Sequence, residues 1–395
     1  MKALIVHNYH RSGSASGDDQ VFDNESILLE SSGVEVIRYS ISNDAFDSAG
    51  LLGKLSDAFG MMWSSKHYRA IRRIIEEEQP DIMHVHTFFP LLSPSVLYAA
   101  KRAGVSVVAT LHDTRFICPV ATSLRNGELC NECADGRYFR MVCHKCFKGS
   151  GLRSLLVAAI FKYHRWRKSF YNQIDRYICL NDSQISLLKE VGFDQNKMVK
   201  KYNFVNEPTF DEASLADYDL PGRYVTYYGR LGEEKGIRIL MAAWDDLGDI
   251  PLVVMGGGPL REEFQAWAQG RKNVHYLGYV PHDKCLGIVR NSEFVVFPSI
   301  WYEGCSMVEI ESESLGKPIV ATDLGFSAEA IEDGKNGVKF SLGDTGGFVR
   351  AVRGLWSNQK LIRQMGVAAA EDYKSKYRAV DNIEQLIEVY EGLLG

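Results

Sequence analysis

The carboxylates of Glu303 and Glu311 stand eight residues apart in Trp301-Tyr-Glu-Gly-Cys-Ser-Met-Val-Glu-Ile-Glu311. One carboxylate in such a loop can accept hydrogen bonds from the paired hydroxyls of a ribose. Backbone N–H groups at the start of a following helix, Gly304 to Met307 here, can hold a phosphate or a sugar hydroxyl. The plain alternative is an acidic, solvated helix face. A second stretch, Tyr228-Gly-Arg-Leu-Gly-Glu-Glu-Lys-Gly-Ile237, places Arg230 and Lys235 on either side of a glycine turn. A guanidinium can grip two phosphate oxygens and an ammonium adds a point charge, so this pair suits a diphosphate. The three glycines of Val253-Val-Met-Gly-Gly-Gly-Pro259 allow close backbone approach at a third place. Together these residues suggest a sugar-nucleotide site.

The first half offers a small-residue loop, Ser12-Gly-Ser-Ala-Ser-Gly-Asp18, in which Gly17 could admit an acceptor or a phosphate. Asp81-Ile-Met-His-Val-His86 and Thr110-Leu-His-Asp-Thr-Arg115 place histidines at strand ends. His112, clustered with Asp113 and Arg115, is the one expected to touch sugar hydroxyls or move a proton. His84 reads as structural, and His86 is left open.

These residues need a frame that brings strand ends together. Short β-rich runs alternate with longer amphipathic ones. The strands expected in the first half are residues 3–7, 34–39, 81–87, 105–112 and 177–180. Those in the second are residues 224–228, 252–255, 274–277, 294–297 and 319–321. Helical patterns lie between them, with one expected to begin near Glu233 and a last one over 382–394. The alternation predicts parallel sheets with helices on both faces, an α/β fold whose ligands sit beyond the carboxyl ends of the strands. Residues 206–221, polar and carrying two prolines, read as a linker.

The chain has 395 residues, 46% of them hydrophobic, enough for two or three domains with large cores. A net charge of −5 gives no global reason to expect nucleic acid as a partner. No run approaches 18 apolar residues, and the opening Met1-Lys-Ala-Leu-Ile-Val reads as a strand rather than a leader. A cytoplasmic protein is the expectation.

Taken together, Gly229-Arg230…Lys235-Gly236, the Gly256–Pro259 turn and Glu303…Glu311 with Gly316-Lys-Pro-Ile-Val-Ala-Thr322 resemble the retaining glycosyltransferases of family 4. The resemblance covers nearly the whole chain. It implies the GT-B fold: an acceptor-binding Rossmann-like domain over 1–205, a nucleotide-sugar domain over 206–376, and a helix over 377–395 that packs back on the first domain. It further implies that Arg230 and Lys235 neutralise the donor diphosphate and that Glu311 binds the ribose. Glu303 and the loop of Gly304, Cys305, Ser306 and Met307 would hold the sugar. Gly229, Gly257 and Gly258 would line the donor site, His112 would contact the donor sugar, and Gly17 would shape the acceptor side. The donor would be a UDP- or GDP-sugar. The implied chemistry is a same-face substitution in which the leaving phosphate accepts the acceptor's proton, with no catalytic metal. Family members usually carry Phe where Cys305 stands and Ala where Ser312 stands, so the chain departs from the family at the sugar pocket.

Residues 118–146 interrupt the first half. Cys130-x2-Cys133-x9-Cys143-x2-Cys146 has the spacing of a four-cysteine zinc site. A subset of the family resembles the chain more closely through His112-Asp113, Cys118-Pro119, Gly127–Cys133 and Cys146-Phe-Lys148. That likeness selects Cys118, Cys130, Cys133 and Cys146, with Cys143 as the alternate. A structural zinc is expected, disulfides being the other account. Two basic-aromatic stretches, Trp63–Arg69 and Lys162–Lys168, suit contact with anionic lipid at the inner face of a membrane, or else are solvated helix faces. The acceptor expected is a glycan, lipid-linked in many relatives. A sugar-nucleotide epimerase of similar shape and a zinc-containing nucleic-acid binder are the competing readings.

Overall fold

The computed structural model describes residues 1–11, 16–45, 60–208 and 218–395. Residues 12–15 of the small-residue loop and 209–217 of the linker therefore lie outside the described residues. The chain divides into two compact units. The first comprises Met1–Ser123, Cys130–Tyr202 and Val380–Gly395, and the second comprises Leu124–Leu129 and Asn203–Ala379.

The first unit is built on strands β1 (Lys2–Tyr9), β2 (Glu35–Ser42), β3 (Ile82–Thr87), β4 (Ser106–Leu111), β7 (Arg176–Cys179) and β8 (Met198–Lys200), in the order β2-β1-β3-β4-β7-β8. Every pairing is parallel. The strands read as near-continuous apolar runs because helices cover both faces of such a sheet. Leu4, Val6, Met83, Val85, Val107 and Ala109 pack with Ile71, Ile75, Val96, Leu97 and Phe161 from the covering helices. The helix Ala379–Leu394 buries Ile383, Leu386, Val389 and Tyr390. Its Asn382 Nδ2 donates to the Tyr202 carbonyl at 2.7 Å, and its Gln385 Nε2 to the Lys200 carbonyl at 2.8 Å.

Within the cysteine-rich segment, β5 (Leu124–Arg125) and β6 (Glu128–Leu129) form a small antiparallel hairpin. Asn126 and Gly127 turn it with φ of 52° and 79°, the left-handed pair that matches strand twist in a two-residue loop.

The second unit carries β9 (Val225–Tyr228), β10 (Leu252–Met255), β11 (Val274–Gly278), β12 (Val295–Phe297), β13 (Ile319–Thr322) and β14 (Gly337–Phe340). Their order is β11-β10-β9-β12-β13-β14, again parallel throughout. The order reverses between β9 and β12, which is where an open parallel sheet leaves a crevice at its carboxyl edge.

Each sheet has six strands where the sequence pattern gives five. The additions are β8, three residues with only half-buried side chains, and β14, four residues that mix Lys339 with Val338 and Phe340. Neither has enough alternation to stand out. The helix expected near Glu233 also begins later. Glu233–Lys235 is a single 3-10 turn and the α-helix runs Ile237–Asp246. Gly236 separates the two at φ 71°, and a Cβ there would meet the Pro298 carbonyl oxygen at 1.8 Å.

Candidate functional site

In the second unit the two candidate loops follow the two strands at the reversal. Gly229–Lys235 leaves β9 and residues 298–306 leave β12. Backbone stitches them together: the Ile300 N–H donates to the Glu234 carbonyl at 2.9 Å and the Ser299 hydroxyl to the same oxygen at 3.2 Å. Lys235 Nζ then donates to Glu303 Oε1 at 2.6 Å, and Ser299 Oγ reaches that oxygen at 2.7 Å. The ammonium also lies 5.2 Å from the Trp301 ring centre and 5.5 Å from that of Phe297, where the aromatic faces favour a cation. The Arg230 guanidinium is half exposed, with Glu234 at 3.7 Å.

The helix Met307–Ser314 starts at Ser306, whose hydroxyl accepts from the Glu309 N–H. Capping leaves the N–H groups of the first turn and the positive end of the helix dipole facing the loop. Glu311 is buried and its Oε1 lies 2.8 Å from His282 Nε2. That contact raises the His282 pKa above its ordinary value, against the opposing effect of burial. His282 itself is more than half exposed, so it covers Glu311 without being locked in place.

The acidic helix is not a solvated face. Glu309, Glu311 and Glu313 are all buried. Burial, added to by Glu303, pushes the Glu309 carboxyl up to about 8, and neither of its oxygens has a hydrogen bond. Burial and Glu309 raise Glu313 well above the carboxylate range, and its Oε1 accepts from Asn336 Nδ2 at 3.3 Å. At neutral pH these two are neutral acids, Glu309 lying near the Lys235–Glu303 pair. Sequence reasoning passed them over because glutamates four apart on a short helix ordinarily face water.

Cys305 turns its thiol to the start of the unit. Its Sγ accepts from the Asn203 N–H at 3.3 Å, and Asn203 Nδ2 donates to the Cys305 carbonyl at 3.2 Å. Among the glycines, Gly256 and Gly258 are demanded by the fold: a Cβ on either would run into the carbonyl of Gly229 or Leu231. At Gly257 a Cβ would meet nothing within 4 Å.

In the first unit, His112 sits at the end of β4 beside a buried polar cluster. Its Nε2 is 3.1 Å from His86 Nδ1. His86 Nε2 is 3.1 Å from Glu25 Oε1, and Glu25 Oε2 accepts from Lys201 Nζ at 2.9 Å. His84 lies 2.7 Å from the Tyr390 hydroxyl through Nδ1 and 2.8 Å from Thr110 Oγ1 through Nε2. Burial pushes His112 down to about 3 and holds His84 well below its usual range. Burial would raise Glu25, but Lys201 and His86 outweigh it and keep the carboxyl ionised. Gly17 opens the helix Gly17–Ser31. Asp18 and Asp19 follow it, Asp19 receiving His7 at 2.8 Å and His10 at 3.2 Å. Asp113 pairs with Arg115 at 2.9 Å.

Sequence reasoning missed Glu25, Lys201 and Tyr390. Glu25 did leave a signal: it stands on the buried stripe Val21, Phe22, Glu25, Ser26, Leu29, where an acid is out of place unless paired. Lys201 and Tyr390 left none.

Among the described residues, the groups of three ligand atoms within 4.8 Å of one another are Glu25–His84–His86 and His10–Asp18–Asp19. The first already encloses the Lys201 ammonium, which disfavours a cation there. The cysteines do not close to that distance. They do gather, however: burial, Cys118, Cys146 and Cys130 together push the Cys133 thiol up to about 12, while Cys143 is exposed.

Two family models match the chain. "Glycosyltransferase Family 4" matches residues 54–207 and "Glycosyl transferases group 1" matches residues 222–358. The chain is 25% identical to alpha-D-kanosaminyltransferase of Streptomyces kanamyceticus over 366 residues, covering 89% of this chain and 86% of that one. It is 30% identical to D-rhamnosyltransferase WbpZ of Pseudomonas aeruginosa over 161 residues, which span 40% of this chain and 42% of the relative's length. Among solved structures, Anabaena Alr3699/HepE in complex with UDP superimposes with a TM-score of 0.69 at 15% identity, covering 99% of this chain and 100% of that one. A glycosyltransferase model thus matches each half of the chain, and the fold is that of the GT-B solved structures.

Proposed function

We propose that the protein is a retaining glycosyltransferase that moves a hexose-type sugar from a UDP- or GDP-sugar to a lipid-linked glycan acceptor in surface-polysaccharide assembly. The observation that carries this reading is the Lys235–Glu303 pair, assembled at the reversal of the second sheet beside Arg230 and the capped helix at Ser306. Support also comes from the relatives, named for transfer of rhamnosyl and kanosaminyl groups, and from the UDP in the HepE complex.

In this reading Arg230 and Lys235 take the diphosphate and stabilise its charge as the glycosidic bond breaks. Arrival of the diphosphate draws Lys235 from Glu303, whose carboxylate then accepts from sugar hydroxyls. Glu311 exchanges His282 for the ribose hydroxyls. N–H groups of Gly304 to Met307 face the sugar, with Gly229, Gly257 and Gly258 beside the diphosphate and Gly17 on the acceptor side. His112 meets the donor sugar from the first unit. Cationic side chains supply the neutralisation, so no catalytic metal is required.

A structural zinc on Cys118, Cys130, Cys133 and Cys146 belongs to the same proposal. The grouping of these thiols around Cys133, with Cys143 outside, supports the set; bound zinc would hold them as thiolates and staple the segment. The protein would work at the cytoplasmic face of a membrane, a placement supported by an outward apolar face on the helix Gly151–Trp166.

The deciding experiment screens UDP-glucose, UDP-galactose, UDP-N-acetylglucosamine and GDP-mannose by thermal shift, then follows turnover of the donor that binds. Glu311→Ala is expected to lower donor turnover at least a hundredfold and to abolish the shift. Full turnover by this variant, or nucleotide release with no glycoside formed on lipid-linked acceptors, would overturn the reading.

A further inference from the structure

The polar cluster beneath His112 contains a chain of contacts whose protons can be assigned by elimination. Glu25 and Lys201 are each 2% exposed at the side chain, and their 2.9 Å contact makes a buried ion pair. A carboxylate in that setting stays ionised, since releasing it would strand the ammonium. Its other oxygen, Glu25 Oε1, has no hydrogen bond of good geometry, and the same holds for His86 Nε2. The two atoms face each other at 3.1 Å. Two buried lone pairs at that distance would repel, and both groups would go unsatisfied. The proton therefore resides on His86 Nε2 and points at the carboxylate.

With Glu25 already neutralised by Lys201, no spare negative charge holds a second proton on His86, and the two nitrogens of a neutral imidazole have opposite roles. With Nε2 protonated, His86 Nδ1 is an acceptor. The atom in front of it is His112 Nε2, at 3.1 Å, with the rings stacked 5.3 Å apart. His112 must donate, so its proton is on Nε2 and its Nδ1 carries a lone pair. Of the charged groups near His112, Asp18 and Glu25 favour its protonation, and burial outweighs them. His84 faces Glu25 Oε1 at 3.4 Å and is tied to Tyr390 and Thr110, while His7 lies on Asp19 and Asp18 receives Thr87.

We propose that Lys201, Glu25 and His86 are positioning residues that fix His112 as its neutral Nε2–H tautomer, so that His112 meets the donor sugar as a hydrogen-bond acceptor at Nδ1. The functional half of this statement rests on the reading of His112 above; the tautomer does not. The same geometry weighs against Glu25, His84 and His86 as a metal centre, because Lys201 already neutralises Glu25 through its other oxygen. It also sets the specificity: a sugar hydroxyl opposite His112 is recognised as a donor, and a deoxy or O-methyl sugar at that position has no proton to offer.

Histidine-selective 15N–1H spectra of the full chain test the assignment without any substrate. The His112 signals are identified by their loss in His112→Phe. At pH 8 the wild type is expected to give a protonated-type Nε2 and an unprotonated-type Nδ1 for both His86 and His112. A protonated Nδ1 on either ring at that pH would overturn the proposal. The double variant Glu25→Gln/Lys201→Met removes both buried charges together, so no lone ion is left to unfold the unit. Its carboxamide can donate to His86 Nε2, which reverses both rings and puts the proton on His112 Nδ1. Reversal is expected to lower kcat about tenfold or more with the KM for the donor within threefold, and Glu25→Asp to recover part of the loss. If His112→Ala abolishes transfer while the double variant keeps the wild-type tautomer and rate, the relay is wrong and the function stands. If the tautomers reverse but His112→Ala transfers normally, the relay stands and the role given to His112 fails.

Discussion

The thiols divide by environment in a way their spacing does not reveal. Cys143 is exposed, whereas Cys118, Cys130 and Cys146 surround Cys133 closely enough to raise its pKa. Spacing alone pairs Cys130-x2-Cys133 with Cys143-x2-Cys146, but Cys143 ends the short helix Phe139–Cys143 with its side chain outward. If zinc holds this segment, elemental analysis of purified protein gives about one zinc per chain. Cys143→Ser keeps it, whereas Cys133→Ser loses it and lowers Tm by about 5 °C, the shift expected from roughly 2 kcal/mol in a unit of this size. Zinc retained in Cys133→Ser, or lost in Cys143→Ser, would show the ligand set to be wrong. Cys305 belongs to a different environment again: its thiol accepts from Asn203 N–H and ties the entry of the second unit to the helix carrying Glu311.

At the scale of elements, the helix Gly151–Trp166 presents Leu152, Leu155, Ala159, Lys162 and Trp166 on one outward face. Leu152 is 79% exposed, Leu155 54% and Trp166 74%. Arg153, Arg167 and Lys168 flank the stripe. An apolar face with a basic border and a terminal Trp is the pattern of a helix lying in a lipid interface. Replacing Leu152, Leu155 and Trp166 by Glu is expected to reduce cosedimentation with anionic phospholipid vesicles at least tenfold, since each side chain buried contributes about 1.5–3 kcal/mol. Undiminished binding by that variant would exclude this face as the contact. The helix also marks where sequence reading stops. Strands such as Leu252–Met255 could be placed from their apolar runs, and the order of Arg230, Lys235, Glu303 and Glu311 followed from loops after successive strands. The hairpin Leu124–Leu129, with two-residue strands, carries no periodicity to detect. The burial of Glu309 and Glu313 depends on Asn336 and on what packs from distant positions, which no local pattern encodes.

For the whole molecule, the buried titratable groups give the two units opposite responses to pH. In the first unit His84 and His112 are kept neutral, and burial holds His164 at about 4. Unfolded, each would take up a proton near pH 6.5, so the stability of this unit is full above that pH and is lost as pH falls through it. His10, raised by Asp19, opposes the loss in part. In the second unit Glu309 and Glu313 keep protons that the unfolded chain would release near pH 4.5, so its stability falls as pH rises toward 8. Going from pH 7.5 to 5.5 should destabilise the first unit and stabilise the second, each by roughly 4–5 kcal/mol at about 1.4 kcal/mol per group per pH unit. Native-state hydrogen exchange, corrected for intrinsic rates, reads both signs; parallel changes in the two units would refute the assignment.

The hydrogen bond between His84 and Tyr390 joins residues 306 positions apart, and it fixes an order of events during synthesis. The first sheet can pair its strands as soon as residue 200 has left the ribosome. Its polar interior, however, stays open until the helix Ala379–Leu394 has emerged. In the interval the chain makes residues 203–379 of the second unit, while His84 lacks its Tyr390 partner. The earliest unit to be translated is thus the latest to be sealed.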